Sequence, residues 1–438
     1  MPNKGTSRFR QVSQRVSVSL FSIVLALQSG CVTYPTPKTQ HQTTLGKVAV
    51  VATTHEPEIK FEGFARGKGE GAATGARKTF VPCLEELGRG CSGAVCGAAA
   101  ILWLGVCGAA SAVGGVVGAA AAPGAEEVRA AEATLSKVLD AKTIQESLRD
   151  QVVAAALAKG TSLVSVSPQS AQDATQLRDY RSLAAAGVDT VLEVALTKAG
   201  TKGSGINPPL ILDMEAHVRL IRTGDNIEVF SADYGYLGER LKLSEWSANQ
   251  AERLLRALKA GYETLGSHIY DNVFLLYPFP DRQPHTAGGL LSVAFGLAPI
   301  SPATRGTLTG DPIIGSRFEW TTVDTLQPML RWQRFPRETD VATAPENMAR
   351  VKNVRYDLVI AREQNLAPAE VVYRREGLPD AVHTVETPLS SATRYFWTVR
   401  ARFDLDGRKR VTEWGSTHFM ARERLAAPSN WSYRFKTP

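Results

Sequence analysis

The spacing of apolar residues predicts alternating strands and helices over the first half of the chain. Residues 47–52 (KVAVVA) are nearly all apolar, which is typical of a strand buried on both faces of a sheet. Residues 126–159 repeat apolar side chains at helical spacing and stop before Gly160, a common residue at helix ends. The pattern then predicts a strand at 161–167, a helix at 171–187 and a strand at 188–199.

The next segments predict a hairpin and a long helix. Apolar and polar positions alternate across residues 210–236 on both sides of TGDN, as in a β-hairpin. Residues 244–274 repeat apolar side chains every three or four positions, which predicts an amphipathic helix with Ser247 and Gln250 as a capping box. Strands and helices in this order favour an α+β domain over residues 47–278, a mixed sheet with packed helices.

This order of elements resembles the N-terminal domain of the TolB family and the periplasmic domain of the curli-secretion lipoprotein. The resemblance is one of element order, without a shared motif. It implies that residues 55–125 are an insertion between the first strand and the first helix.

Beyond a Pro/Gly-rich linker at 279–312, the apolar period changes to two. The strands predicted there are 325–336, 354–364, 369–378, 394–403 and 416–423. Their aromatic residues resemble those of fibronectin type III domains. The matching residues are Trp332, Tyr356, the segment from Leu389 through Tyr395 and Trp397 to Ala401, which is similar to a tyrosine corner, and TEWGSTHF with Gly415 inserted. The resemblance implies an all-β sandwich over 313–424, a binding or spacing module, with a tail at 425–438.

The N-terminus resembles the signal of a bacterial lipoprotein. The first 30 residues combine four basic residues with a short apolar run, too short to span a membrane. Cys31 follows Ser29-Gly30 as in a lipobox, although Gln28 stands where Leu is usual and Leu27 lies one position earlier. The resemblance implies lipidation at Cys31 and, because Val32 follows, an outer-membrane location, with the periplasmic face favoured over the cell surface. An ordinary signal peptide is the alternative, and residues 31–46 are expected to form a flexible tether.

Four cysteines remain after Cys31, all between residues 83 and 107. They are Cys83, Cys91, Cys96 and Cys107. In an oxidising periplasm an even number predicts at least one disulfide, with three pairings open. Buried free thiols are an alternative. A metal site is disfavoured because the spacings lack a CxxC motif and no histidine lies between the cysteines.

Small residues recur every four positions on both sides of these cysteines. The first ridge is Gly67, Gly71 and Gly75, and the second is Ala110, Gly114, Gly118 and Ala122. On helices each ridge forms one face, so the pattern predicts a helical hairpin packed glycine to glycine. The uncharged stretch 91–125 is long enough to enter a bilayer, but it is mostly Ala and Gly. Contact with lipid and burial in protein or in an oligomer interface both remain open.

The charge balance and the motif content of the sequence disfavour several classes of function. Four of the 50 Lys and Arg residues lie in the signal, leaving 46 against 43 Asp and Glu, which is too balanced to indicate nucleic-acid binding. None of the seven histidines has the spacing of a metal-binding motif, and GxSxG and P-loop motifs are absent from the sequence. The glycine-rich segment 65–78 lies too far from a strand for a dinucleotide site.

We therefore expect a non-enzymatic, lipid-anchored envelope protein without a metal or cofactor. It would be a scaffold that contacts membrane lipid and other envelope proteins, and self-association is an open option. The alternatives are an oligomeric membrane pore or plug, and an enzyme that acts on envelope polysaccharide, which lacks a recognisable carboxylate pair.

Overall fold

The computed structural model describes most of the chain beyond residue 44. The described residues are 45–90, 96–139, 141–277, 285–286, 292–303, 306–308, 316–318, 320–363, 370–419 and 433–438. The predicted signal, Cys31 and most of the predicted tether lie outside these residues.

The first half of the described chain combines five strands with seven helices. In chain order they are β1 (Val48–Ala52), β2 (Glu58–Phe61), α1 (Lys68–Gly90), α2 (Cys96–Ala121), α3 (Ala125–Lys137), α4 (Ala141–Ala158), α5 (Pro168–Leu177), α6 (Arg181–Ala184), β3 (Thr190–Lys202), β4 (Leu210–Arg222), β5 (Ile227–Leu241) and α7 (Leu243–Tyr270). A π-helical turn, Asp271–Leu275, continues α7.

The strands form one mixed sheet centred on β3. Strands β1 and β2 both pair with β3 in parallel, one after the other along the same edge: Val48 lies opposite Thr190, and Phe61 opposite Thr201. Strands β3, β4 and β5 are antiparallel neighbours in sequence order. Because β1 and β2 share this edge, the chain leaves β2 at the opposite end of β3 from the one where it entered β1.

Helices α3, α4 and α7 cover one face of the sheet. Fully buried leucines from all three, Leu135, Leu148 and Leu254, join Leu192 of β3 in one core. The other face carries a smaller cluster around Tyr180 and Val191. Strand β3 is buried at most positions, as expected for a strand between two packed faces.

Several predicted elements differ from the structure. The predicted helix 126–159 is two helices, and Leu135 of the first and Leu148 of the second lie in the same core. The predicted strand 161–167 lies outside the sheet ladders, although the Val164 N–H donates to the Val48 carbonyl at 2.8 Å. The predicted helix 171–187 is likewise divided, into α5 and α6.

The boundaries of this half also change. Leu45, predicted in the tether, is buried in the core. Strand β2, predicted within the insertion, belongs to the sheet. Helix α7 begins after Lys242, whose N–H donates to Glu245 at 2.7 Å, and its backbone leaves the helical conformation from Ala248 to Ala251. The Ser247 hydroxyl donates to the Ser244 carbonyl and Gln250 lies within this break, so the predicted capping box of Ser247 and Gln250 is wrong.

The second half is largely antiparallel β structure. Its elements are β6 (His285–Thr286), β7 (Ser292–Phe295), β8 (Pro299–Ser301), β9 (Gly306–Leu308), β10 (Ser316–Phe318), β11 (Thr321–Thr322), β12 (Met329–Trp332), α8 (Glu338–Thr343), α9 (Pro345–Ala349), β13 (Lys352–Ala361), β14 (Val371–Leu378), β15 (Val382–Thr384), β16 (Arg394–Leu405), β17 (Arg408–Val411), β18 (Ser416–Phe419) and β19 (Tyr433–Lys436).

Two of its sheets enclose one aromatic core. The larger sheet runs β11–β19–β16–β13–β14, with β17 also paired to β16, and the smaller runs β15–β12–β8. Trp332 of the smaller sheet packs against Tyr356 and Trp397 of the larger one, with ring centroids 5.6 and 6.4 Å apart. All three side chains are buried, so the aromatic positions singled out in the sequence do lie in this core.

The predicted limits of the sandwich are too narrow. Residues 433–436, predicted within the tail, form β19, which pairs with β16 and buries Tyr433 and Phe435 completely. The predicted linker contributes β8, which pairs with β12. Strand β18, predicted to close the sandwich, pairs instead with β7 in a separate small sheet. The short strand YRFK was missed because four residues carry too little of an alternating pattern.

Candidate functional site: the glycine hairpin and the charged junction

Helices α1 and α2 form a hairpin whose main contacts are between the two helices. Glycines bring the two backbones together. A Cβ atom added at Gly75 would lie 2.1 Å from the Gly114 carbonyl oxygen, and one at Gly118 would lie 2.2 Å from the Gly71 carbonyl oxygen. Because real Cβ atoms do not approach backbone this closely, a side chain at any of these positions would push the helices apart.

The structure departs from the predicted first ridge at its N-terminal end, Gly67. Gly71 and Gly75 of α1 face Gly114 and Gly118 of α2, and Ala122 lies next to Gly71. Gly67 is outside the ridge because it precedes α1. It has a positive φ of 145°, and its carbonyl accepts the N–H of Gly71 at 2.9 Å.

A disulfide joins the two helices. Cys83 of α1 is bonded to Cys107 of α2, with their Cα atoms 5.7 Å apart. The prediction of at least one disulfide is therefore confirmed, and one of the pairings left open by the sequence is selected. Cys91 lies outside the described residues, as does the side chain of Cys96.

The outer face of α2 is apolar and exposed. Val113 is 65% exposed and Val116 is 72% exposed, and α2 contains no charged residue. Helix α1 differs, because it exposes charged side chains that include Arg77 and Lys78. In the part of the chain that the structure describes, no single helix is long and apolar enough to cross a membrane. One pair bent by 48°, Val106–Ala121 with Ala125–Lys137, meets the criteria of length and composition.

A second feature, which the sequence did not predict, is a cluster of charges around three buried side chains where the π-helical turn meets the larger sheet. Arg400 of β16 donates to Asp271 at 2.6 Å and to Asp357 of β13 at 2.9 Å. Lys159 also donates to Asp271, and Arg402 also donates to Asp357. We refer to Lys159, Asp271, Asp357, Arg400 and Arg402 as the charged junction.

Burial and charge oppose each other in this junction. Burial alone would raise the pKa of Asp271, but the charges of Arg400 and Lys159 outweigh it and hold that pKa below its usual range. Burial likewise disfavours the charged form of Arg400, whereas Asp271 and Asp357 raise its pKa. Nearby in α7, burial lowers the pKa of His268 to about 4. The junction is therefore an ionised network that links the two halves of the described chain.

Other charged clusters lie within one half of the described chain: Asp213 pairs with Lys198 and Lys202, Glu193 accepts from the Tyr180 hydroxyl, and Arg337 pairs with Asp340. His217 Nδ1 lies 2.6 Å from the carboxylate of Asp233 at an exposed position, and His383 Nε2 lies 2.6 Å from the Tyr373 hydroxyl. No group of three or more His, Cys, Asp or Glu side chains able to hold a metal ion occurs among the described residues. The charged junction differs from these clusters because it joins the two halves of the described chain.

Comparisons with known proteins add little. No family model matches the chain, and no curated protein matches it. Among solved structures, the crystal structure of lipoprotein GNA1162 from Neisseria meningitidis is similar to part of the chain, with 14% sequence identity and a TM-score of 0.18. The match covers 26% of this chain and 83% of that one.

Proposed function

We propose that this chain is a lipid-anchored protein of the bacterial outer membrane. It acts without catalysis, as a scaffold that recruits partners in envelope assembly or secretion. The observation that carries the proposal is the N-terminal sequence ending at Cys31, a basic segment, a short apolar run and Ser-Gly-Cys, placed ahead of two folded regions.

The first half of the chain supports this proposal through its architecture. A mixed sheet covered by α3, α4 and α7 agrees with the type of domain implied by the resemblance to TolB and the curli-secretion lipoprotein. Folds of this kind host many functions, so the assignment to envelope assembly rests on the N-terminus and on the glycine hairpin rather than on the sheet.

The second half supports a fibronectin type III-like module. Tyr395 lies near the start of β16, and its hydroxyl accepts the N–H of Ser390 at 2.9 Å, which is the bond expected of a tyrosine corner. Trp332 and Trp397 fill the space between the two sheets. We infer that this module presents a binding surface, held in a fixed orientation by the charged junction.

Affinity capture from detergent-solubilised envelope membranes tests the recruiting role. The full tagged chain should retain the same envelope proteins in near-stoichiometric amounts across repeated preparations. The Cys31→Ser chain, which lacks the lipidation site, should lose partners that require a membrane location. Recovery of the full chain alone, with no stoichiometric companion, contradicts a scaffold.

A second candidate function, a pore or plug component, is favoured by the exposed valines of α2. The charges of α1 oppose it, because Arg77 or Lys78 at the centre of a bilayer would cost about 2.5–3.5 kcal/mol each. Dye release from phospholipid vesicles separates the two functions. Dye release that rises with the amount of full chain would favour the pore over the scaffold. Vesicles that keep their dye would contradict the pore.

A further inference from the structure

One end of the larger sandwich sheet carries a cluster of aromatic and basic side chains. Its members are Trp320, Arg394, Phe396, Arg434 and Lys436, and we refer to them as the Trp320 surface. Arg394 is exposed and the other four side chains are half-buried, so the cluster can be reached from solvent.

Strand alternation places this cluster outside the aromatic core. Tyr395 and Trp397 of β16, and Tyr433 and Phe435 of β19, are buried between the two sheets. Successive side chains of a strand point to opposite faces of a sheet. The residues that alternate with these four therefore lie on the outer face.

Trp320 is the centre of the cluster. The guanidinium carbons of Arg394 and Arg434 lie 5.2 and 5.4 Å from the centroid of its ring, distances at which a cation is attracted to an aromatic face. Phe396 packs edge-on against the same ring, with the centroids 5.2 Å apart. Strand pairing sets Phe396 opposite Arg434 and Arg394 opposite Lys436. The surface is thus ordered by the sheet, which lowers the cost of ordering it on binding.

The positive charge of the cluster distinguishes it from the rest of the sandwich surface. Elsewhere on this surface arginines pair with carboxylates, as Arg375 does with Glu386. Within the described residues, neither Arg394 nor Lys436 forms an ion pair with a carboxylate. A surface of this sign, with ring area beside it, attracts a partner that carries negative charge.

The composition of the Trp320 surface is typical of a surface that binds protein. Trp, Phe and Arg are enriched at the cores of protein interfaces, and Trp and Arg are among the residues that contribute most to affinity. An Arg side chain packed on a ring still has N–H groups that can donate to a carboxylate. A second copy of this chain is disfavoured as the partner, since two copies of the surface facing each other would bring like charges together.

We propose that the Trp320 surface binds a partner protein through an acidic segment that carries apolar side chains among its carboxylates. This inference rests on the proposed function, a scaffold that recruits envelope proteins, and it identifies the surface that recruits them. The carboxylates of the segment pair with Arg394 and Lys436. Its apolar side chains cover the accessible area of Trp320 and Phe396.

Fluorescence anisotropy with the purified full chain tests the chemistry of this surface. The probe is a labelled peptide in which Glu and Phe alternate, and the parent chain should bind it. Trp320→Ala and Arg394→Glu should each weaken binding by about tenfold or more, and added salt should weaken it further. The matched control is Arg331→Glu, which reverses an exposed charge on the smaller sheet and should bind as the parent does.

Several results would overturn the proposal. The parent chain would fail to bind the peptide, or the Arg394→Glu chain, whose change is at an exposed position, would bind it as tightly as the parent. An equal loss in Arg331→Glu would show that only the net charge of the chain matters. Tighter binding of the parent to oligogalacturonate or to phosphatidylglycerol vesicles than to the peptide would make the ligand an acidic glycan or a lipid instead.

Affinity capture from envelope membranes distinguishes failure of this surface from failure of the scaffold. Companions that are retained by the parent and by Arg331→Glu, but lost by Arg394→Glu, support both proposals. Companions that Arg394→Glu retains equally well contradict the Trp320 surface and leave the scaffold in place. A parent chain without companions contradicts the scaffold itself, and with it the proposed partner.

Discussion

The Arg400 guanidinium donates a hydrogen bond of 2.6 Å to the carboxylate of Asp271, and the two side chains are only 5% and 6% exposed. The two residues lie 129 positions apart, one on β16 of the sandwich and the other directly after α7. Arg400 also lies 4.5 Å from the ring centroid of Trp414. A buried, paired charge of this kind fixes the sandwich against the end of the long helix.

Removing Arg400 should destabilise the protein strongly. Arg400→Met leaves Asp271 and Asp357 buried with fewer positive partners, and loss of one member of a buried ion pair costs about 3–5 kcal/mol. Urea unfolding followed by tryptophan fluorescence measures the change in free energy of unfolding. The control is Arg350→Met, which breaks an exposed pair with Asp406 and should cost less than about 1 kcal/mol. Equal losses in the two variants would show that the junction is not structural.

The protein should lose stability as the pH falls from 6.5 towards 4. Burial lowers the pKa of His268 to about 4 from its usual 6.5, so the unfolded chain takes up a proton in this range and the folded chain does not. Stability is then complete above pH 6.5 and falls by up to about 1.4 kcal/mol per pH unit below it. Unfolding free energies at pH 7, 6 and 5 measure this slope. His268→Gln should flatten the slope, whereas a slope unchanged by His268→Gln contradicts the assignment.

The contribution of Asp271 to stability changes over a lower pH range than that of His268. Because its pKa in the folded protein lies below the usual 3.8, its contribution to stability is present above that pH and is lost as the pH falls through the lowered value. The free energy of unfolding of the Asp271→Asn chain should therefore differ from that of the parent most at neutral pH. The difference should shrink in strong acid.

An added methyl group should have opposite effects on stability at two glycines of α1. Gly75→Ala places a Cβ against the Gly114 carbonyl oxygen and should cost about 1–3 kcal/mol through overpacking. Gly69→Ala, the control, meets no atom within 4 Å and should add up to about 1 kcal/mol of helix stability. Hydrogen exchange of α1 and α2 measures both effects locally. Faster exchange in Gly69→Ala than in Gly75→Ala contradicts the observed packing.

The disulfide should resist alkylation and should stabilise the hairpin. In denatured, unreduced protein, Cys83 and Cys107 should stay unmodified, because they are bonded to each other. The bond closes a loop whose ends are 24 residues apart in the sequence. Its loss should therefore lower the free energy of unfolding of the hairpin by about 3 kcal/mol.

Substitution of the cysteines supplies the control for this prediction. Cys83→Ser, Cys107→Ser and the double variant should have the same exchange rates in α1, since each removes the same bond. Additive effects of the two single changes, or alkylation of Cys107 without reduction, would refute the pairing.

The apolar pattern predicted the large elements well because these elements are long or strongly periodic. The hairpin of β4 and β5 and the body of α7 follow this rule, and the alternation around Trp397 located β16. Short elements were missed, since β2 and β19, with four residues each, become recognisable only through pairing with β3 and β16.

Some side-chain features could likewise be predicted from the sequence, and others could not. The glycine ridges were visible because close helix packing requires small residues at fixed spacing, but the pairing of Cys83 with Cys107 depends on how the helices are aligned. The charged junction was missed because Arg400 and Asp271 lie in different regions and look like ordinary surface charges. Only the folded chain brings them together.

Metabolic labelling with palmitate, combined with membrane fractionation, tests the proposed anchoring of this chain at Cys31. We expect the full chain to carry label and to sediment with the outer membrane, and we expect Cys31→Ser to lose both properties. Cys83→Ser removes a different cysteine and should keep them. An unlabelled parent chain, or a Cys31→Ser chain that is still labelled, would contradict a lipid-anchored envelope protein.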